Sequence, residues 1–247
     1  MTWNIHGALG RNTRFDLARV VELIQSWQPD VVALQEVDSR RRDSGGGDPF
    51  DLLQKGLGDH GIGAKSIQTA DGEYGQMLIS RWPLRHPEVH DISWPEREPR
   101  RAIRAEVETP AGPLRVVATH LGLSFGERGA QTRKLLELVG EESIATVLLG
   151  DFNDWLWAGS VRRPLASTLP ARTRHRTFPS VCPAFHLDRI YCRPAGVLVR
   201  SFVDRKARYV SDHLAVIADV RVNPQSNYQA SSGGACRKAG VSKDEAG

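Results

Sequence analysis

Apolar runs that stop abruptly at polar residues organise this chain. Ala145 to Leu149 is a nearly continuous apolar run, which predicts a strand covered on both faces. It ends at Gly150, followed by Asp151, Phe152, Asn153 and Asp154. Taken alone, that ending reads equally as a tight turn or as an oxygen-rich pocket at the rim of a sheet. Val31 to Leu34, Gln76 to Ser80, Ile103 to Glu108, Leu114 to Thr119, Arg189 to Tyr191 and Leu214 to Val220 are further predicted strands. Leu17, Val20, Val21, Ile24 and Trp27 recur at helical spacing and predict an amphipathic helix over Phe15 to Gln28 that stops before Pro29. A second helix is predicted over Arg128 to Glu142, with Leu135, Leu138 and Val139 inward.

Strands and helices alternate early, and short turns such as Pro110-Ala111-Gly112-Pro113 separate later strands. That mixture predicts a mixed sheet, or a pair of sheets, covered by helices in one domain spanning residues 1–222. From Asn223 onward the chain is rich in Ser, Gly, Gln, Lys and Glu, so residues 223–247 are expected to form a disordered tail.

Composition narrows the picture modestly. Of 247 residues, 40% are hydrophobic and 25% charged, as in ordinary globular proteins, and no apolar run is long enough to cross a bilayer. Met1 to His6 lack the basic flank and apolar stretch of a signal peptide, so the expected location is the cytoplasm. Cys182, Cys192 and Cys236 have no paired metal-ligand spacing, and reduced thiols are expected rather than a zinc site. The net charge is +4, and 27 of the 33 basic residues are arginine, a bias compatible with phosphate recognition. Two stretches interleave basic and aromatic or glycine residues and read as loops. Ser39 to Asp48 holds Arg40, Arg41 and Arg42, and Trp155 to Phe178 holds Trp155, Trp157, Arg162, Arg163, Arg172, Arg174 and Arg176.

Position along the strands carries the chemistry. Asn4, Glu36, His120 and Asp151 each stand at the C-terminal end of a predicted strand, whereas Asp188 and Asp212-His213 stand just before one. If those last two strands run opposite to the rest, all seven side chains meet at one rim. Carboxylates so crowded repel one another unless a cation neutralises them. Oxygen ligands without thiolates favour Mg²⁺ or Mn²⁺ over zinc.

The ordered set of Thr2-Trp3-Asn4-Ile5-His6, Leu34-Gln35-Glu36-Val37-Asp38, Ala118-Thr119-His120-Leu121, Gly150-Asp151-Phe152-Asn153, Leu187-Asp188-Arg189 and Ser211-Asp212-His213 resembles the endonuclease/exonuclease/phosphatase superfamily. The resemblance covers residues 1–222. It implies an α/β (α+β) fold, a four-layered sandwich of two mixed β-sheets flanked by helices, deoxyribonuclease I-like. It also implies a metal-dependent hydrolase that cleaves phosphodiester bonds by activated-water attack. In that reading Glu36 is the principal Mg²⁺ ligand (Mn²⁺ being the alternative), and Asn4 and Asp212 complete or orient the shell. Asp151 and Asn153 position the attacking water and contact the phosphate. His213, held by Asp188, serves as general base or electrostatic clamp, and His120 donates to the phosphate. Arg100 is the expected extra phosphate contact, with Arg97 as competitor and a surface arginine as the alternative. His6 stands where several nuclease relatives carry an acid. Asn4, on so short a strand, is expected to be loosely held. The partner is a phosphate-ester substrate: nucleic acid, or an inositol phosphate or phospholipid headgroup in the phosphatase and lipid branches. A monomer without stable membrane insertion is expected, and a catalytically silent binding protein is the competing class.

Overall fold

The computed structural model describes residues 1–10, 15–40, 47–141, 143–155 and 159–222. Arg41, Arg42, Gly45 and Gly46 of the first basic stretch, Glu142, Trp157, Cys236 and the proposed tail lie outside them.

Two six-stranded mixed sheets stack face to face, with helices on both outer surfaces. The first sheet contains β1 (Thr2–Asn4), β2 (Val31–Asp38), β3 (His60–Thr69), β4 (Gly72–Ser80), β11 (Leu198–Asp204) and β12 (Ala215–Val220), in the order β11-β12-β1-β2-β4-β3. The second contains β5 (Leu84–Asp91), β6 (Arg101–Thr109), β7 (Gly112–His120), β8 (Thr146–Asp151), β9 (Ala171–Arg172) and β10 (Asp188–Arg193), in the order β5-β6-β7-β8-β10-β9. This is the expected four-layered sandwich.

Strand alternation divides the core. In β2, Val32 and Leu34 face outward into a cluster with Val20, Ile24 and Phe50, while Ala33 faces the other sheet. The layer between the sheets uses small side chains such as Ala33, Ala64, Ala105 and Ala118, which permit close sheet-on-sheet packing. β8 is buried along its whole length, as a strand without a polar face must be.

α1 (Leu17–Trp27) and α2 (Pro49–Leu57) cover the first sheet; α3 (Phe125–Val139) and α4 (Arg162–Thr168) cover the second. α1 is capped by the Asp16 carboxylate, which accepts from the Arg19 amide, and ends at Gln28 in the left-handed region just before Pro29. The expectation for α3 is corrected at its start. Ser124 and Glu127 form a reciprocal capping box that begins the helix at Phe125 rather than Arg128, and it closes at Gly140. The stretch from Trp155 to Phe178 is also not all loop, since it contains α4 and β9.

Strand direction follows the expectation. β1 and β2 are parallel, as are β7 and β8, whereas β12 runs antiparallel to β1 and β10 antiparallel to β8. The ends of β1, β2, β7 and β8 therefore meet the starts of β10 and β12 at one rim.

Candidate functional site

Register sets the second sheet's contribution. His120 pairs with Asp151 across β7 and β8, and Asp188 pairs with Asp151 across β8 and β10, so the three stand in one row. Gly150 makes the row possible. Its φ of 151° disfavours any side chain, and a Cβ there would lie 1.9 Å from the Thr119 carbonyl oxygen. Asn153, also left-handed at φ 47°, is folded back so that its amide donates to Asp151 Oδ1 at 2.9 Å. Its Nδ2 donates to the Leu121 carbonyl at 2.9 Å.

The first sheet uses a bulge. The β2–β4 register shifts between Gln35 and Val37, and Glu36 sits at φ 58°. A bulge re-aims one side chain without disturbing the neighbours that fill the core. Here it turns Glu36 into the rim while Gln35 and Val37 stay buried.

Asn4 joins the two sheets. Its Nδ2 donates to Glu36 Oε1 at 2.8 Å and to Asp151 Oδ2 at 3.0 Å, and its Oδ1 accepts from the His6 amide at 3.0 Å. The loose placement expected from a short strand is not found: Asn4 is only 1% exposed, and its backbone carbonyl accepts from Ser211 Oγ at 2.7 Å. In this arrangement Asn4 orients the carboxylates, since its carbonyl oxygen is committed to the backbone. Ser211, which sequence reasoning passed over, also accepts from the His213 amide at 3.0 Å and so ties β1 to the loop before β12.

Two histidines face each other across Asp151. His213 Nδ1 lies 2.8 Å from Asp188 Oδ2, and its Nε2 lies 3.8 Å from Asp151 Oδ2. Burial alone would lower its pKa, but the charges of Asp188 and Asp151 win and raise it to about 10. Burial acts on Asp151 in the usual direction for an acid and, despite the opposing charge of His213, pushes it up to about 6. His120 has the opposite surroundings. Its Nδ1 is 2.9 Å from Arg100 Nη1, and burial together with that guanidinium pushes its pKa well below the usual histidine value. Glu36 resists burial: contacts from His6, His120 and Asn4 hold it down to about 2.

Arg100 is therefore not a surface arginine. It is 6% exposed and anchored beside His120, whereas its competitor Arg97 is exposed. His6 places Nδ1 3.6 Å from both Glu36 Oε2 and Asp212 Oδ1, and its hydrogen bond to Glu36 raises its pKa. A cleft of about 310 Å³ opens beside His6, Glu36, Arg40, Tyr74 and Glu98. A larger apolar cavity, about 700 Å³, lies at the opposite end of the sandwich near Pro29, Pro110 and Leu114, away from these polar groups.

The donor set fits a hard divalent cation. Glu36, Asp151 and Asp212 supply carboxylates, and Asp212 Oδ1 is buried without a hydrogen-bond partner. Among the described residues, Asp151, Asp188 and His213 form the compact group, with ligand atoms within 4.8 Å of one another. Within that group His213 Nδ1 is hydrogen-bonded to Asp188 Oδ2, which leaves Nε2 as the nitrogen turned toward Asp151.

Residues 1–213 match the model of the endonuclease/exonuclease/phosphatase family. The chain belongs to that family. Its members are phosphoesterases and are generally dependent on divalent metals. The chain is similar to YbhP of Escherichia coli strain K12, with 28% identity over 90% of this chain and 95% of that protein. An endonuclease/exonuclease/phosphatase from Beutenbergia cavernae superposes with a TM-score of 0.70 at 23% identity, covering 90% of this chain and 70% of that one. D. rerio TDP2, complexed with a single-strand DNA product, superposes with a TM-score of 0.64 at 19% identity over 90% and 97% of the two chains. At these identities the superpositions speak for the fold. Among the described residues, no helix is long and apolar enough to cross a membrane.

Proposed function

We propose that this protein is a Mg²⁺- or Mn²⁺-dependent phosphodiesterase, with a nucleic-acid strand as its preferred class of substrate. The observation that carries the reading is the arrangement around Asp151: the hydrogen-bonded His213–Asp188 dyad on one side and His120 on the other, with Glu36 alongside. Glu36 is the principal ligand, Asp212 a further one, and Asn4 orients them. The bound cation would supply Lewis acidity toward a phosphoryl oxygen.

The protein's own residues do the rest. Asp151, an anion of raised basicity close to the centre, orients and deprotonates the attacking water, and Asn153 fixes its geometry. His213, charged at neutral pH, acts as the electrostatic clamp on the phosphate rather than as the base. Asp188 holds it there. His120 and Arg100 bound the opposite side. We take a diester as the substrate class to test first; relatives in fold include both D. rerio TDP2, seen with a single-strand DNA product, and a Bacteroides thetaiotaomicron mannosyl-6-phosphatase. Free thiols at Cys182 and Cys192 accord with a reducing, cytoplasmic setting, and we take the working unit to be a monomer.

A panel tests the substrate class. Bis-p-nitrophenyl phosphate, single-stranded DNA and RNA, p-nitrophenyl phosphate and phospholipid vesicles are each incubated with Mg²⁺. Cleavage of the diesters well above the monoester is expected. Faster release of phosphate from the monoester would make the protein a phosphatase, and turnover confined to vesicles would make it a lipid phosphodiesterase.

A further inference from the structure

We propose that Arg100 is a positioning residue that locks His120 into a single tautomer, bare at Nδ1 and protonated at Nε2, making His120 a fixed hydrogen-bond donor. The inference rests on the phosphoesterase reading only for its consequence in catalysis; the tautomer itself follows from geometry.

A guanidinium has donors and no acceptor. Its Nη1 lies 2.9 Å from His120 Nδ1, so Nδ1 must supply the lone pair. A neutral imidazole that accepts at one nitrogen carries its proton on the other. That second nitrogen, Nε2, faces the centre, 3.7 Å from Asp151 Oδ2 and 3.9 Å from Glu36 Oε1. Both distances exceed a direct hydrogen bond, so the N–H is held between two carboxylates without being consumed by either.

The rest of the site keeps Arg100 from leaving. Its amide donates to Ser93 Oγ at 3.0 Å, its carbonyl accepts from the Ile92 amide at 3.0 Å, and Nη1 also lies 3.2 Å from Glu98 Oε1. The side chain is 7% exposed, with its Nε buried and without a hydrogen-bond partner. A residue whose purpose was only to meet an incoming phosphate would present its fork to the open cleft. Arg100 instead spends a buried donor on the back of a histidine. His120 then gives a hydrogen bond to a phosphoryl oxygen and retains its proton, which separates its role from that of His213.

Histidine-selective ¹⁵N spectra of the metal-free protein read the tautomer directly, with the His120 signals identified by their loss in His120→Gln. The wild type is expected to show a protonated Nε2 and a bare Nδ1. Arg100→Met is expected to bring the two nitrogen shifts together as both tautomers become populated, and Arg100→Lys, which keeps a donor, to retain the wild-type pattern. A protonated Nδ1 in the wild type, or unchanged shifts in Arg100→Met, overturns the proposal. If Arg100→Met fails to fold, the wild-type and Arg100→Lys spectra still decide it.

In turnover, Arg100→Met should lower kcat by about 10²-fold, the usual cost of losing one preorganised donor, with KM changed less. Arg100→Met should cost nothing further in a His120→Asn background, because the two act as a unit. A KM effect alone, or full additivity, would assign Arg100 to phosphate binding instead. Absence of turnover on every diester would sink the functional reading while leaving the tautomer result intact.

Discussion

His120 and His213 are buried to the same extent, 5% and 6% exposed, and both approach Asp151 Oδ2, at 3.7 and 3.8 Å. Their pKa values are nonetheless shifted in opposite directions. His213 has a carboxylate behind its Nδ1, which raises its pKa; His120 has a guanidinium there, which together with burial lowers its pKa. Burial disfavours the charged form of both rings equally, so it cannot explain the difference. The partner on the far nitrogen decides it. One rim thus carries two histidines biased in opposite directions, His120 at the end of β7 in the second sheet and His213 in the loop before β12 in the first.

Removing the clamp should have the largest effect. His213→Gln is expected to reduce diester turnover on the order of 10³-fold, within the range for a charged group acting in the transition state, and steady-state kinetics at saturating Mg²⁺ check it. Cutting the support instead of the ring is milder. Asp188→Asn leaves the imidazole in place but weakens its hold on the proton, and about a 10²-fold loss is expected.

The fold was legible wherever a strand was buried on both faces or ended at a polar residue. The runs at Val31, Leu114 and Ala145 appear as β2, β7 and β8, and the chain reversal that brings Asp188 and His213 to the rim was readable from their place before their strands. Edge strands were missed for a physical reason. β5 is exposed along most of its length and contains Pro87, and β11 buries only Asp204, so neither carries a buried apolar alternation. β3 is interrupted by Gly61 and Gly63. α2 did carry a readable signal, Asp48 before Pro49 with Phe50 and Leu53 inward, but it is a short helix after a glycine run.

Within the site, the identities at the rim were readable and their couplings were not. That Asn4 bridges Glu36 and Asp151, that Glu36 sits on a bulge, and that Ser211 ties β1 to the loop before β12 depend on contacts across up to 207 positions of sequence. Arg100 was readable from sequence as a candidate phosphate contact, but its buried contact with His120 was not.

The charge difference also has a signature in stability. His213 has a folded pKa near 10 against about 6.5 in an unfolded chain, so its contribution is full below pH 6.5 and is lost as pH rises through about 10. In EDTA, the Tm gap between wild type and His213→Gln should therefore be widest at and below pH 6.5 and close toward pH 10. A gap that grew with pH would show that His213 is neutral in the folded protein. The smallest effect serves as the control. Arg200 and Asp219 pair on the exposed surface of β11 and β12, and Arg200→Ala should change stability by less than about 1 kcal/mol and leave turnover unchanged.

The chemistry proposed for the rim depends on Glu36 holding a cation beside the two histidines. Metal-stripped wild type and Glu36→Gln should be compared by bis-p-nitrophenyl phosphate hydrolysis as Mg²⁺ or Mn²⁺ is titrated in. The wild-type rate should rise from background to saturation, and Glu36→Gln should remain on the order of 10³-fold lower. Full turnover in EDTA, or a Glu36→Gln protein as active as wild type, would contradict it.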